Sequence, residues 1–292
     1  MPEKQASVSR GFWNDGWQRL RVNRGALIAG GIIALVALLA LLGPAVLGIR
    51  YDSLDWEHLA VSPQWTGPHF LGTDRLGRDL LVRTLYGVRI SLLIGLLASA
   101  VSLIIGIAWG AVAGYRGGRT DELMMRAVDV LYSLPYLFIV IILMTLFDRG
   151  SLIVLFIAIG AVGWLTIARI VRGQTLSLMR TEFIEAAQAF GVGPGALIRR
   201  HILPNLSGTI IAYATLAIPQ MILFESFLSF LGLGVQEPLP SLGNLINDGA
   251  REMQSAAWML LVPAGFLVVL LVCFSIVGDA LRDALDPRER AA

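Results

Sequence analysis

The sequence predicts an all-α protein that crosses a membrane six times. Two observations carry this reading. Hydrophobic residues make up 56% of the 292 residues and charged residues only 15%, with a mean hydropathy of +0.71. A soluble domain carries about 25% charged residues, so this chain cannot cover itself with polar groups, and lipid is its natural solvent. The second observation is a series of long runs almost free of charge: Gly25 to Ile49, Ile90 to Tyr115, Val130 to Phe147, Gly150 to Ala168, Ile202 to Gln236 with Glu225 alone inside it, and Ser255 to Gly278. A membrane helix needs about 20 apolar residues, because about 1.5 Å of rise per residue must cover about 30 Å of hydrocarbon.

Taken in order, residues 1–25 form an N-terminal segment in which Trp13, Trp17 and Leu20 share a helical spacing and Arg19, Arg21 and Arg24 are interleaved. This predicts a short helix lying in the membrane interface. Residues 26–48 are the first span, which is too long for a signal-peptide apolar region and lacks a small-x-small cleavage site after it. Residues 49–87 are an extracytoplasmic loop. Residues 88–279 hold spans two to six, with a loop at about 170–207, and 280–292 form a tail. Arginine sets the orientation. Basic residues gather before span one, at Arg116 and Arg119, at Arg169, Arg172, Arg180, Arg199 and Arg200, and at Arg282, Arg288 and Arg290. Both termini are therefore expected to be cytoplasmic.

Several function classes fall away. Lys4 is the only lysine, so there is no phosphate-binding loop with its lysine, and ATP hydrolysis by that route is excluded. Cys273 is the only cysteine, and His58, His69 and His201 stand far apart in sequence without ligand-like neighbours. They read as surface or packing residues, and no metal site, cofactor site or catalytic set is expected. No clustered basic face suggests nucleic acid.

The loop at 170–207 is the most informative stretch. Thr181 suits a helix N-cap, Glu182 its first turn and Gly191 its stop. Gly193-Pro194 suits the start of a second helix, which Pro204 ends or kinks. Ala186 and Ala187 are small enough for close approach. Phe183, Ile184 and Phe190 offer apolar contact, and Glu185, Arg199 and Arg200 can fix register by charge. Local physics leaves two readings open, a docking element or a solvated loop.

Glu185-Ala186-Ala187, then Gly191, then His201 and Leu203-Pro204 resemble the EAA motif of importer-type ABC permeases. The family favours an aliphatic residue where His201 stands, a departure usual in the peptide branch. Phe70-Leu71-Gly72-Thr73-Asp74 with Gly77-Arg78-Asp79, Met125-Arg126, Ala168 to Thr175, Phe224 to Gly234 and Gly278 to Pro287 are similar to the C-type permeases of the oligopeptide, dipeptide and nickel family, closest to the oligopeptide form. The resemblance covers nearly the whole chain. It implies the type I ABC importer permease fold, a bacterial inner-membrane location and a coupling helix in the 170–207 loop. It implies as partners a B-type permease, two ATPase subunits that bind ATP and Mg, and an extracytoplasmic peptide-binding protein. Dipeptides, nickel or another small solute are alternative cargoes. An ion-gradient-driven transporter is a more distant one, since it would need an internal repeat and an ion site of in-span carboxylates.

Charges in or near spans complete the candidate set. Asp129 is expected near the inner end of span three, paired with Arg126 on the same helix face or lining the path. Glu225 is expected either on the translocation path or in a hydrogen bond between helices. Asp74, Arg75, Arg78 and Asp79 are expected as an outer surface that contacts the binding protein or pairs with itself. Pro135, Pro219 and Pro263 lie within spans and are candidates for bends.

Overall fold

The computed structural model describes residues 18–64, 66–147 and 151–285. Trp13, Trp17, Asp148, Arg149, Arg288 and Arg290, and with the first two most of the expected interfacial helix, lie outside them. Among the described residues regular structure is helical, and the one β pairing is an isolated bridge between Thr73 and Asp79.

Helix α1 (Arg24–Leu47) opens on Asn23, whose side chain accepts the Ala26 N–H, and stops at Gly48 in the left-handed region. Residues 48–79 form the first loop. Helix α2 (Leu80–Arg116) follows, capped by Asp79. After it come α3 (Gly118–Ser133), α4 (Tyr136–Leu146) and α5 (Leu152–Leu178). A helical hairpin is made of α6 (Glu182–Ala189) and the single turn α7 (Pro194–Leu197). A π-helical turn, Ile198–Ile202, leads into α8 (Leu203–Phe230). The last described helices are α9 (Leu242–Arg251) and α10 (Trp258–Leu285), the latter continuing five residues into the 280–292 segment.

Five helical stretches are long and apolar enough to cross a membrane: α1, α2, α5, the continuous run Pro194–Phe230, and α10. The expected third span differs from a simple rod. Helices α3 and α4 meet at an angle of 86°, and α4 alone is about 16 Å long. The break has a local cause. Leu134 is extended (φ −77°, ψ 141°) ahead of Pro135, because the proline ring disfavours the α region for the residue before it. Hydropathy averaged over Val130 to Phe147 records composition and not direction. By contrast α8 and α10 remain helical through Pro219 and Pro263, as membrane helices do where neighbours satisfy the freed carbonyl.

The centre of the bundle is the pair α2 and α5. It is built on a small-residue stripe of α2, Gly106, Gly110 and Gly114, spaced four apart so that they share one face. A Cβ on Gly106 would lie 2.7 Å from Ile167 Cβ, and one on Gly114 would lie 2.7 Å from Thr175 Cβ. Backbone contact this close gives van der Waals packing where lipid removes the hydrophobic drive between helices. On the outside of the bundle, α1 turns Leu27, Ile28, Leu35, Leu38, Leu41 and Leu42 outward, the face expected to meet lipid.

Candidate functional site

Three groups of polar or interaction-competent residues stand at different levels of this bundle: the α6–α7 hairpin at one end, an ionic cluster at the opposite end, and Glu225 between them.

The hairpin is shaped by its caps. Gly191 takes φ +79°, the Gly191 N–H donates to the Gln188 carbonyl, and the Val192 N–H donates to the Ala187 carbonyl, so α6 ends in a Schellman motif. Thr181 does not cap α6 through its side chain; its Oγ1 donates back to the Leu178 carbonyl. On the underside, Ile184, Ala187, Leu197, Ile202 and Leu206 are buried with Ala111, Ile167 and Val171 from α2 and α5. This alters the roles expected of the motif. Ala187 and Ile184 face their own bundle, whereas Phe183, Glu185 and Ala186 are exposed, and Phe190 is 89% exposed. Gly191 is exposed beside them. His201 is half-buried in the π turn, where its carbonyl accepts from the Asn205 side chain, and Leu203 and Pro204 form the first residues of α8.

Two Arg–Asp pairs fix the helices beneath the hairpin. Arg172 of α5 forms a bidentate pair with Asp121 of α3, at 2.6 Å for both contacts. Arg169 Nη2 donates to Asp129 Oδ1 at 2.7 Å, and its guanidinium lies 4.3 Å from the Tyr132 ring centroid. Asp129 is thus tied across helices to Arg169, not to Arg126. It stands on amphipathic α3, ahead of the Leu134–Pro135 bend, and is largely exposed.

Glu225 of α8 is fully buried. Its Oε2 accepts from Ser91 Oγ of α2 at 2.6 Å, and its Oε1 accepts from Ser229 Oγ at 2.8 Å. The same hydroxyls take backbone donors: Ser91 Oγ accepts the Leu242 N–H, and Ser229 Oγ accepts the Val235 N–H. One carboxyl group therefore joins α8, α2, the chain after α8, and the start of α9. A separate cavity of about 700 Å³ lies between α3, α4, α5 and α8. Tyr132, Tyr136, Thr166, Tyr213 and Gln220 give it polar points on an apolar wall, while Glu225 is not among its lining residues.

At the opposite end, the expected outer charge surface is folded inward. Arg78 Nε donates to Asp74 Oδ2 at 2.6 Å, and Arg83 Nε lies 3.5 Å from the same oxygen. Glu237, in a turn of the link after α8, pairs with Arg78 at 3.2 Å and Arg83 at 3.6 Å. Asp74, Arg78, Asp79 and Arg83 are all buried, so three of the four residues expected on a contact surface are shielded from one. Asp79 caps α2 through the Val82 N–H. Arg75 stays exposed, 3.8 Å from Glu252. Beside this lattice, burial first and then the Glu237 charge push the Asp248 carboxyl of α9 up.

The histidines also depart from expectation. His58 and His69, eleven positions apart in the first loop, have ring centroids 5.6 Å apart, and Asp55 bonds to both. Burial lowers the His69 pKa, but hydrogen bonds from Asp79 and Asp55 outweigh it, and the net shift is upward. Arg83, Glu237, Ser91 and Asp121 carry no mark in the sequence. Apart from Arg83 with Asp74, nine positions apart, their partners lie from 32 to 159 positions away, and no short motif marks such pairs.

Residues 106–291 match the family described as the binding-protein-dependent transport system inner membrane component, and residues 11–63 match the N-terminal TM domain of oligopeptide transport permease C. The oligopeptide transport system permease protein OppC of Escherichia coli (strain K12) is 50% identical over 288 residues, covering 99% of this chain and 95% of the relative. The OppC protein of Haemophilus influenzae is 48% identical over 288 residues, covering 99% and 92%. A chain of the MetNI methionine ABC transporter, solved in inward facing conformations, superposes with a TM-score of 0.58 at 19% identity, covering 70% of this chain and 96% of that one. That likeness establishes the fold, and with the sequence matches over nearly the full length it places this multi-pass membrane protein in the family of binding-protein-dependent transport system inner membrane components.

Proposed function

We propose that this chain is the C-type permease subunit of an ABC importer for oligopeptides in the bacterial inner membrane, with both termini cytoplasmic. Its partners are a homologous B-type permease, two ATPase subunits that bind ATP and Mg, and an extracytoplasmic peptide-binding protein. The chain itself is a transport subunit and not an enzyme. The observation that carries this reading is the two-faced α6–α7 hairpin. Its underside is locked into the core by Ile184, Ala187 and Leu197, while Phe183, Glu185, Ala186 and Phe190 are exposed among the described residues. A short rigid helix with an exposed apolar and acidic face suits docking into a groove, and its firm seat would pass movement of a docked ATPase to α5 and α8. The names of the relatives support the oligopeptide cargo.

The test is ATPase activity of the assembled complex in lipid, with and without binding protein and a mixed oligopeptide pool. Stimulation that needs peptide, binding protein and this subunit is the expected result. Assembly without peptide stimulation would overturn the cargo and leave the importer; failure to assemble with any ATPase would overturn both.

A further inference from the structure

One cluster in the first loop has the donor set and spacing of a metal centre. Asp55 Oδ2 lies 2.9 Å from His58 Nδ1 and 3.3 Å from His69 Nε2, and one donor atom from each of the three residues falls within 4.8 Å of the others. Metal bonds of about 2.0–2.1 Å in a tetrahedron set neighbouring donors about 3.3 Å apart. Both Asp–His distances fall near that spacing.

His69 supplies an independent argument. Its Nδ1 is 2.8 Å from Asp79 Oδ2, and both residues are buried. A proton on Nδ1 donated to Asp79 turns the Nε2 lone pair toward the Asp55 carboxylate. In that tautomer Nε2 and the Asp55 carboxylate face each other at 3.3 Å as two donors toward one ion. Carboxylate, imidazole and metal in that order is the usual outer-shell arrangement, which fixes the tautomer and raises the basicity of the ligand. The surroundings hold the donors in place. Gly77, at φ +75°, lets the 74–79 turn lie against the Asp55 carbonyl, where a Cβ would collide. Thr73 Oγ1 donates to the His58 carbonyl at 2.6 Å and accepts the Val61 N–H at 2.9 Å. The His58 and Asp55 side chains are 40% and 37% exposed, which leaves an entry route and a coordination position for water.

We propose that Asp55, His58 and His69 bind a divalent transition ion of the zinc class, with Asp79 as the residue that orients His69. Two imidazole nitrogens and one carboxylate suit zinc, whereas calcium and magnesium prefer sites made of oxygen alone. The bound ion clips the 55–58 segment to His69 and, through Asp79, to the N-terminus of α2. This site is structural and does not depend on the identity of the cargo.

The experiment uses the full chain, purified without a polyhistidine tag, stripped with chelator and held in lipid nanodiscs. Zinc sulfate is titrated by calorimetry, and cobalt(II) is followed by its visible absorption. The expected result is one zinc per chain and a tetrahedral cobalt band that zinc abolishes. Asp79→Asn keeps a good helix cap and is expected to weaken zinc binding by about 10–100-fold. His58→Ala is expected to abolish the cobalt band while the metal-free melting temperature stays at the wild-type value. Absence of zinc binding in the wild type would overturn the proposal, and so would zinc binding that is unchanged in both His58→Ala and Asp55→Asn, since the ion would then sit elsewhere.

Discussion

The two ends of this molecule solve opposite problems. At the loop end, charged residues are withdrawn from solvent: Asp74, Arg78 and Arg83 are buried and the two arginines share Asp74 and Glu237, so the first loop, α2 and the link after α8 become one body. At the hairpin end the pattern is reversed. Apolar residues bind α6 and α7 to the core, while Phe183 and Phe190 are presented outward. The lattice pairs its charges within the chain, and the hairpin leaves an apolar surface exposed. A buried charge network specifies geometry but costs much when half of it is removed. An exposed apolar face adds nothing to the stability of the isolated chain; in the proposed function its value is realised on docking.

The largest expected effect comes from breaking the lattice. Asp74→Ala removes the carboxylate that faces Arg78 and Arg83 and leaves two buried guanidinium groups short of a partner. A loss of about 3–5 kcal/mol is expected, read as a lower thermal midpoint in detergent and a lower yield of folded chain. A midpoint equal to wild type would mean that water reaches these charges and that the two ends are not different in kind.

The next effect separates two neighbouring alanines. Ala187→Trp forces a large ring into the packed floor of Ile184, Leu197 and Ile202, and overpacking of this kind costs about 1–3 kcal/mol. It should lower the thermal midpoint of the isolated chain. Ala186→Trp lies on the exposed face and should leave that midpoint unchanged, yet reduce co-purification of ATPase subunits or the response of ATP hydrolysis to loaded binding protein. Full stimulation in Ala186→Trp would count against docking on this face.

Glu225 gives a smaller and more selective test. Glu225→Gln keeps an acceptor for the Ser91 and Ser229 hydroxyls, so assembly should survive with a thermal midpoint within a few degrees. Glu225→Ala leaves those hydroxyls and the helix junction without a partner, at about 1–3 kcal/mol. If packing is its whole contribution, peptide uptake follows stability in both variants. Loss of uptake in a stable Glu225→Gln protein would instead assign the carboxyl a part in transport.

The long apolar stretches could be read from the sequence because each is apolar and bounded by glycine, proline or charge; five of the six expected spans correspond to single long helical stretches and the third to the bent pair α3 and α4. The bend at Leu134–Pro135 was marked only by the proline, and Pro219 and Pro263 show why that mark is ambiguous: helices continue through both. Helix α9 escaped notice because it is ten residues long and only partly apolar, although its capping box, Ser241 with Asn244, was present in the sequence. The EAA motif located the hairpin but not its orientation. A helical period places Ile184 and Ala187 on one face and Ala186 on another, and only the position of α2 and α5 decides which face is inside. The histidine cluster could not be read from spacing at all, because His58, His69 and Asp55 meet through loop turns set by Gly77 and Thr73.

The smallest effect is expected at Asp129, and it calibrates the comparison. Its pair with Arg169 has good geometry at 2.7 Å, but the two side chains are 64% and 41% exposed. Solvent screens such a pair, and its net worth is about 0–1 kcal/mol. Asp129→Asn should therefore leave the thermal midpoint nearly unchanged, and raising salt should not separate mutant from wild type. The Arg172–Asp121 pair, one turn away along α5 and with a buried carboxylate, provides the contrast: Asp121→Asn should be the more destabilising of the two in the same melt. If the order is reversed, exposure is not what sets the strength of these pairs, and a contact that covers Asp129 in the assembled complex becomes the better explanation.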